Sequence, residues 1–218
     1  MIRVLLPSLL LTLATVLAPC PADEPARNAW WPQFRGPNGS GIASDGDYPI
    51  EFDKSKNLLW KVAVPAGVSS PCVWNDKVFL TAYKKGRKKL QTICIDRDSG
   101  EILWRIDAPA EEIEKVHSAS NPASATPVTD GQRVYVYFGS YGLECYDFEG
   151  NRLWTKPLGM AQNRWGMGTS PILAGELLIL SCDQGGRSFG GVNDVQGAIS
   201  FSYRAQIGGA GMTVYARR

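Results

Sequence analysis

The chain has 218 residues, of which 44% are hydrophobic and 20% charged, and its formal net charge is +2. This composition is typical of a globular protein, and a nearly neutral chain lacks the large positive surface of a nucleic-acid-binding protein. The densest cationic stretch is KKGRKK at residues 84–89, which we interpret as a solvated hairpin tip, with a surface for an anionic partner as the alternative.

The first 22 residues predict a secretory signal peptide. Arg3 precedes an apolar run at residues 4–17, which small residues follow. The run is too short for a membrane span, so no transmembrane segment is predicted. The end of the run faintly resembles a bacterial lipoprotein box, but Pro19 departs from that pattern. We therefore expect a periplasmic or secreted protein, and we favour this over a lipid anchor on Cys20.

Residues 23–57 are rich in Gly, Pro, Asn and Ser and predict an irregular N-terminal arm. Its RGPNGSG stretch lacks the Gly-Lys-Ser/Thr ending of a phosphate loop. Trp30, Trp31 and Phe34 are expected to pack this arm against the sheets that follow.

Residues 126–154 contain four short runs with alternating apolar and polar residues. The runs are rich in β-branched and aromatic types, and Asp-Gly or Glu-Gly pairs and glycine-containing stretches separate them. This pattern predicts four antiparallel strands joined by hairpins. One such sheet alone would bury too little apolar surface to be stable.

The same four-strand unit occurs upstream, at residues 70–104. Ser/Thr-Pro begins both copies, a valine lies seven residues after each proline, and Cys-x-Asp, Gly and Leu-Trp follow in the same order. The matched pairs are Ser70-Pro71 with Thr126-Pro127, Val78 with Val134, Cys94-Ile95-Asp96 with Cys145-Tyr146-Asp147, Gly100 with Gly150, and Leu103-Trp104 with Leu153-Trp154.

The spacing of the repeats predicts a β-propeller. The Leu-Trp pairs lie 44 and 50 residues apart (59 to 103, then 103 to 153), and four strands at such a period are typical of propeller blades. A third copy begins at Ser170-Pro171, and Leu59-Trp60 resembles the last strand of a preceding unit. We therefore predict an all-β, partial propeller over residues 58–186, with about two full blades and parts of others. A β-sandwich with coincidental tryptophan placement is the alternative.

Residues 108–125 form a long insertion between the first two full units. PAEEIEKV predicts one or two helical turns, with Glu111, Glu112 and Glu114 on a polar face. His117 is the only histidine, and we expect it to make local hydrogen bonds rather than to act as a catalyst. No catalytic residue is predicted.

The cysteines and aspartates match no metal-site pattern. Residues 96–100 alternate aspartates before a glycine, but the later ligands of a calcium loop do not follow, and turn chemistry explains both copies. After the leader, the cysteines are Cys72, Cys94, Cys145 and Cys182, which we interpret as small buried hydrophobic residues. No metal site is predicted.

The ordered repeat motif resembles the PQQ-like (pyrroloquinoline-quinone-like) β-propeller repeat family, and the likeness extends from about Trp31 to Gln184. The arm WPQFRGPNGSG resembles that of its exported bacterial members. The resemblance implies that Trp60, Trp104 and Trp154 each pack between neighbouring blades.

The resemblance implies one of two functions. Some members are outer-membrane-assembly propellers that bind proteins without a cofactor, and others are quinoprotein dehydrogenases that hold PQQ and calcium. The chain has no adjacent cysteines and no aspartate that we can match to the dehydrogenase site. We therefore expect a non-enzymatic scaffold for a protein or peptide partner, with no cofactor. A fragment of a PQQ-dependent dehydrogenase is the alternative, for which the cofactor-binding residues are unknown. A third hypothesis is carbohydrate binding by Trp30, Trp31 and Trp165, although we expect these rings to be buried.

The repeat motif ends after Gln184. Residues 187–218 contain no Leu-Trp pair, and residues 193–197 with 198–201 imitate only poorly a turn and a last strand. We therefore expect an atypical C-terminal tail and a fragment of a longer propeller. The rival expectation is a small protein that completes its ring by self-association through exposed blade edges.

Overall fold

The computed structural model describes residues 30–43, 48–161, 163, 165–184, 187–194, 199–208 and 211–217, with side chains as far as residue 182. The predicted signal peptide and the candidate lipid site at Cys20 lie outside the described residues. In the described part of the chain, no helical segment has the length and hydrophobicity that a membrane crossing requires.

The first sheet contains four antiparallel strands in sequence order. They are β1 (Cys72–Trp74), β2 (Lys77–Lys84), β3 (Lys89–Asp96) and β4 (Ile102–Asp107). Asn75 turns the chain between β1 and β2 with a φ of 52°, a left-handed conformation that asparagine tolerates well. The KKGRKK stretch forms the β2–β3 turn, where residues 85–88 are exposed as predicted.

The second sheet repeats the first. Its strands are β5 (Val128–Thr129), β6 (Arg133–Phe138), β7 (Gly142–Asp147) and β8 (Arg152–Pro157). The register shifts once between the third and fourth strands of each sheet, after Cys94 in the first and after Cys145 in the second. An irregularity at the same place in both sheets confirms that the Cys-x-Asp motifs are equivalent.

The third sheet has five strands. They are β9 (Ile172–Ala174), β10 (Leu177–Gln184), β11 (Arg187–Asp194), β12 (Ile199–Gly208) and β13 (Gly211–Arg217). Its first two strands confirm the third repeat. The sheet then continues through β11, β12 and β13, although the sequence carries no repeat motif there. Hairpin pairing satisfies the backbone N–H and C=O groups of these strands whatever their side chains.

The sheets stack as successive blades with an apolar layer between each pair. The layer between the first and second blades includes Phe79, Leu90, Val136 and Phe138, and that between the second and third includes Tyr135, Leu143, Leu178 and Leu180. All eight side chains are at most 2% exposed. The fold is therefore the predicted all-β, partial propeller.

Each tryptophan of a Leu-Trp pair packs at a blade boundary. The indole Nε1 of Trp60 donates to the Arg97 carbonyl at 2.7 Å, and that of Trp104 donates to the Phe148 carbonyl at 2.9 Å. Each ring covers the glycine of the next turn, Gly100 or Gly150, so closely that a Cβ there would approach ring atoms to 2.6 or 3.0 Å. Trp154 packs in the next layer, 6.0 Å from the Tyr135 ring. The expected position between neighbouring blades is confirmed for Trp104 and Trp154, whereas Trp60 packs against the first blade only, with no preceding blade among the described residues.

The Ser/Thr-Pro motifs link the three blades through their hydroxyl groups. The backbone N–H of Ser70 donates to the Thr126 hydroxyl at 3.0 Å, and the N–H of Thr126 donates to the Ser170 hydroxyl at 2.9 Å. The motif thus satisfies backbone donors where the inner strands begin, which explains why a hydroxyl residue recurs there.

Replacing Thr126 by valine should lower the free energy of unfolding by about 1–2 kcal/mol, because the shape is kept but the acceptor for Ser70 is removed. Hydrogen exchange at the Ser70 amide should accelerate as well. Thr155→Val on the partly exposed strand β8 is the matched control, with an expected change below about 0.5 kcal/mol. An equal loss in both variants would contradict the role of the hydroxyl link.

Two expectations about the start of the repeat region are wrong. The packing expected of the arm is wrong for Phe34, which is 49% exposed, whereas the Trp30 ring lies 6.3 Å from the Trp74 ring of the first sheet. The arm also joins this sheet through paired backbone hydrogen bonds between Trp31 and Val73 at 3.0 and 2.8 Å. Residues 58–65 place Trp60 correctly but form no strand, because no described strand lies beside them.

Candidate functional site

The strand order brings several connections to one end of the blades. In a four-stranded antiparallel sheet with its strands in sequence order, the turn between the second and third strands lies at the same end as the link to the next blade. We call this end the loop face and define it as residues 108–125, 139–141 and 158–171, apart from residues 162 and 164. The cationic β2–β3 turn lies at the same end.

The two inter-blade links are packed against each other. A Cβ on Gly166 would lie 2.8 Å from Val116 Cγ1, so the Val116 side chain packs directly on the Gly166 backbone, where any larger residue would clash. The Ser124 hydroxyl donates to the Met167 carbonyl at 2.5 Å. The links therefore form one packed surface.

The β6–β7 turn anchors both links. Ala161 N–H donates to the Gly139 carbonyl at 2.7 Å, and Glu114 N–H donates to the Ser140 hydroxyl at 3.0 Å. The helical turns predicted for PAEEIEKV do not form. The reason is that the Glu114 backbone bonds to this distant turn instead of to its own segment.

Glu114 is a buried acid at the centre of the loop face. Its residue is 5% exposed, its Oε1 lies over Gly139, and its Oε2 has no hydrogen-bond partner among the described residues. Burial raises the pKa of Glu114 to about 7. The polar face expected for Glu111, Glu112 and Glu114 is therefore wrong for Glu114, whereas Glu111 and Glu112 are exposed.

An aromatic pair lies on the outer side of the loop face. The rings of His117 and Trp165 lie 4.6 Å apart, and the His117 Nδ1 accepts a hydrogen bond from Ala119 N–H at 3.1 Å. The expected local bonding of His117 is confirmed. Trp165 is 56% exposed, so the expected burial of this ring is wrong, and Met160 is exposed as well. Trp30 is partly buried, 6.3 Å from the Trp74 ring.

A cavity of about 340 Å³ opens between the second and third blades. Its lining includes Asn163, Met167, Thr169 and Ser181. These side chains offer amide, hydroxyl and thioether groups, whereas calcium prefers several carboxylate oxygens. The described residues also contain no group of three His, Cys, Asp or Glu side chains placed to hold a metal. The residues of this cavity do not fit PQQ with calcium.

The other candidate residues have structural roles. Asp96 Oδ1 accepts hydrogen bonds from the Asp98 and Ser99 backbone N–H groups, which makes the predicted turn. Hydrogen bonds from Ser99 lower the pKa of Asp96. The four described cysteines are buried and unpaired with one another, as predicted, and burial raises the pKa of Cys94 and of Cys145 to about 12.

The sequence patterns did not predict an ion pair between the first two blades in which the carboxylate is buried and the arginine is about a third exposed. Glu144 is fully buried, accepts a hydrogen bond from the Tyr146 hydroxyl at 2.5 Å, and lies 3.1 Å from Arg152 Nε. Arg152 also donates to the Asp107 carbonyl of the first blade at 2.8 Å. The alternation of side chains along a strand could have predicted the burial of Glu144, because it places Glu144 on the same face of the sheet as Tyr146.

Comparisons with known proteins support the fold. A family model described as outer membrane protein assembly factor BamB matches residues 40–167. The quinohemoprotein alcohol dehydrogenase from Comamonas testosteroni is similar in structure, with a TM-score of 0.60 and 16% sequence identity over 83% of this chain and 28% of that one. No curated protein matches the chain.

Two further solved structures are similar over 66% of this chain. They are a europium-containing methanol dehydrogenase (TM-score 0.49, 12% identity, 26% of its chain covered) and BamB from Moraxella catarrhalis (TM-score 0.43, 15% identity, 38% of its chain covered). The chain thus spans between about a quarter and two fifths of the lengths of the three structures.

Proposed function

The chain belongs to the PQQ-like propeller family whose model is described as outer membrane protein assembly factor BamB, and from this we propose that it is an exported, non-enzymatic scaffold that binds other proteins through its loop face. The partner proposed is an outer-membrane protein before or during its assembly, and the proposed compartment is the periplasm.

The observation that carries this proposal is the exposed Trp165 on a packed loop surface. Tryptophan is enriched among the residues that dominate protein–protein affinity, above all where its surroundings are rigid. Here the surroundings are fixed by the Gly166–Val116 contact and by the Ser124–Met167 hydrogen bond. A half-exposed aromatic ring on such a surface can bind a partner with little loss of conformational entropy.

Binding is tested with a urea-solubilised outer-membrane β-barrel protein, fluorescently labelled and kept unfolded after dilution. The chain should bind it, and Trp165→Ala should weaken the affinity at least tenfold, because a central aromatic contact contributes about 2 kcal/mol. Tyr48→Ala removes a similarly exposed aromatic ring from the arm and should leave the affinity unchanged. No binding by the wild-type chain, or equal binding by the Trp165 variant, would overturn the proposal.

Cofactor uptake distinguishes the proposed binding scaffold from a PQQ-dependent dehydrogenase. Titration of the chain with PQQ and calcium should leave the absorbance spectrum of PQQ unchanged, because the loop-face cavity lacks the carboxylates that calcium prefers. Stoichiometric uptake with dye-linked alcohol oxidation would favour the dehydrogenase instead.

A further inference from the structure

The β2–β3 hairpin of the first blade is longer than the corresponding hairpin of the second blade. From the equivalent pairs Phe79–Cys94 and Tyr135–Cys145, the ladder continues for five residue pairs in the first blade and for three in the second. Two extra pairs at about 3.3 Å per residue add about 7 Å to the first hairpin. Its turn therefore projects further at this end of the blades than the β6–β7 turn does.

The projecting turn carries five cations and no acid. We call residues 84–89 the cationic turn, and its charged residues are Lys84, Lys85, Arg87, Lys88 and Lys89. Residues 85–88 are exposed, and the closing pair, residues 84 and 89, is partly buried. In the part of the chain that the structure describes, no carboxylate forms an ion pair with any of the five. Their positive charge is therefore not neutralised by the described fold.

The acids beside this hairpin lie nearer to the blades than the cationic turn does. Asp107 stands opposite Gln91, and its carboxylate accepts a hydrogen bond from the Gln91 amide at 2.7 Å. The link that carries Glu111 and Glu112 begins directly after Asp107 and runs to the shorter β6–β7 turn. A flat surface that approaches this end of the first blade therefore meets the cations before the acids.

The cationic turn faces water at the end of its blade. The links on both sides of the hairpin are present in the described chain: Tyr83 N–H donates to the Ala66 carbonyl at 2.7 Å, and Ala108 N–H donates to the Leu90 carbonyl at 2.9 Å. Successive blades bury apolar sheet faces on each other, whereas unpaired cations are costly to remove from water. A charged hairpin end of this kind is not a surface that blade packing covers.

We propose that the cationic turn binds the surface of a membrane that contains anionic phospholipids. Four of its five cations are lysines, which are depleted in interfaces between proteins, and it has no aromatic or aliphatic side chain to fill a pocket of a protein partner. Long, flexible cations suit a surface of mobile phosphate groups, where each cation contributes about fivefold to affinity. The inference goes beyond the proposed protein binding and does not depend on Trp165.

Sedimentation of the full chain with lipid vesicles tests this proposal. Phosphatidylcholine vesicles with about one third phosphatidylglycerol should bind the chain at least tenfold more tightly than pure phosphatidylcholine vesicles do. The neutral vesicles also report any insertion of the apolar N-terminal run. A rise in NaCl from about 0.05 M to about 0.5 M should weaken binding at least tenfold, because the screening length falls to about 4 Å. Equal binding to the two kinds of vesicle would overturn the proposal.

Two double variants locate the contact. Lys85→Gln with Arg87→Gln removes two exposed charges from the cationic turn and should lower the affinity for anionic vesicles at least tenfold. Lys54→Gln with Lys61→Gln removes two exposed charges from the residues before the first blade and should change the affinity less than twofold. All four side chains are exposed, so folding is kept. Equal losses in the two double variants would overturn the proposal, because net charge alone would then explain the binding.

The rival ligands have their own outcomes. Inorganic phosphate at millimolar concentration and constant ionic strength should not release the chain from vesicles, and release would overturn the proposal in favour of a discrete phosphate site. Binding of a labelled hexaglutamate peptide without binding of anionic vesicles would overturn it in favour of an acidic protein segment.

One comparison separates this contact from the proposed protein-binding surface. Trp165→Ala should bind anionic vesicles as the wild type does, and a loss equal to that of the cationic-turn variant would overturn the assignment to the turn. The cationic-turn variant should in addition retain its affinity for the unfolded β-barrel protein, so failure of one proposal is distinguishable from failure of the other.

Discussion

Replacement of Trp104 by alanine is expected to lower the free energy of unfolding by about 3–5 kcal/mol, the range typical of large aromatic side chains in a core. The ring lies between the first two blades, 6.0 Å from the Phe79 ring and 5.9 Å from the Tyr146 ring. Its Nε1 also donates to the Phe148 carbonyl, which would lose that partner. Removal of the ring contacts and of this hydrogen bond weakens the packing between the two sheets, which bury their apolar faces on each other.

Urea denaturation followed by far-ultraviolet circular dichroism measures this change. Leu103→Ala is the matched control, since Leu103 is the adjacent residue on β4 and is 42% exposed. Its expected cost is below about 1 kcal/mol. Similar losses in the two variants would mean that the stability of the blades does not depend on Trp104.

Stability is expected to fall as the pH rises from about 4.5 to 7, because the buried Glu114 holds its proton more tightly than the unfolded chain does. Burial raises the pKa of Glu114 from 4.5 to about 7. Below pH 4.5 the acid is protonated in both states and folding carries no penalty. Between these values the unfolded chain releases the proton first, and above pH 7 the full penalty of at most about 3 kcal/mol remains.

Glu114→Gln should remove this part of the pH dependence and make the protein more stable than the wild type at pH 8. The backbone bond to Ser140 is kept in this variant, because the Glu114 N–H makes it. Glu112→Gln removes the same charge from an exposed position two residues away and should retain the wild-type pH profile. Unfolding free energies at pH 5, 6 and 8 give the comparison. Parallel profiles for the wild type and Glu114→Gln would contradict the buried-acid assignment.

The repeat was predictable because its determinants are local. Alternating side chains and Asn or Gly turns specify strands and hairpins, and the recurrence of Ser/Thr-Pro, Cys-x-Asp and Leu-Trp gives their order. The structure adds the partners of each motif. Thr126 bonds to Ser70 and Ser170, which lie 56 and 44 residues away along the chain.

The loop face was not predictable from periodicity. PAEEIEKV has a helical pattern, but its backbone bonds to Ser140, and Glu114 is buried as a result. Trp165 was expected to be buried, whereas its ring is exposed and contacts the tilted ring of His117 at the surface. Both errors have the same source, since contacts between irregular segments far apart in the sequence leave no repeating signal.

The sequence by itself determined the all-β repeat, the blade order and the positions of the tryptophans, because strand alternation and turn chemistry act over a few neighbouring residues. Only the tertiary structure decided which acid is buried and which aromatic ring is exposed. These properties depend on how the connections pack around the blades, and packing of that kind is a balance of burial and hydrogen bonding over the whole fold.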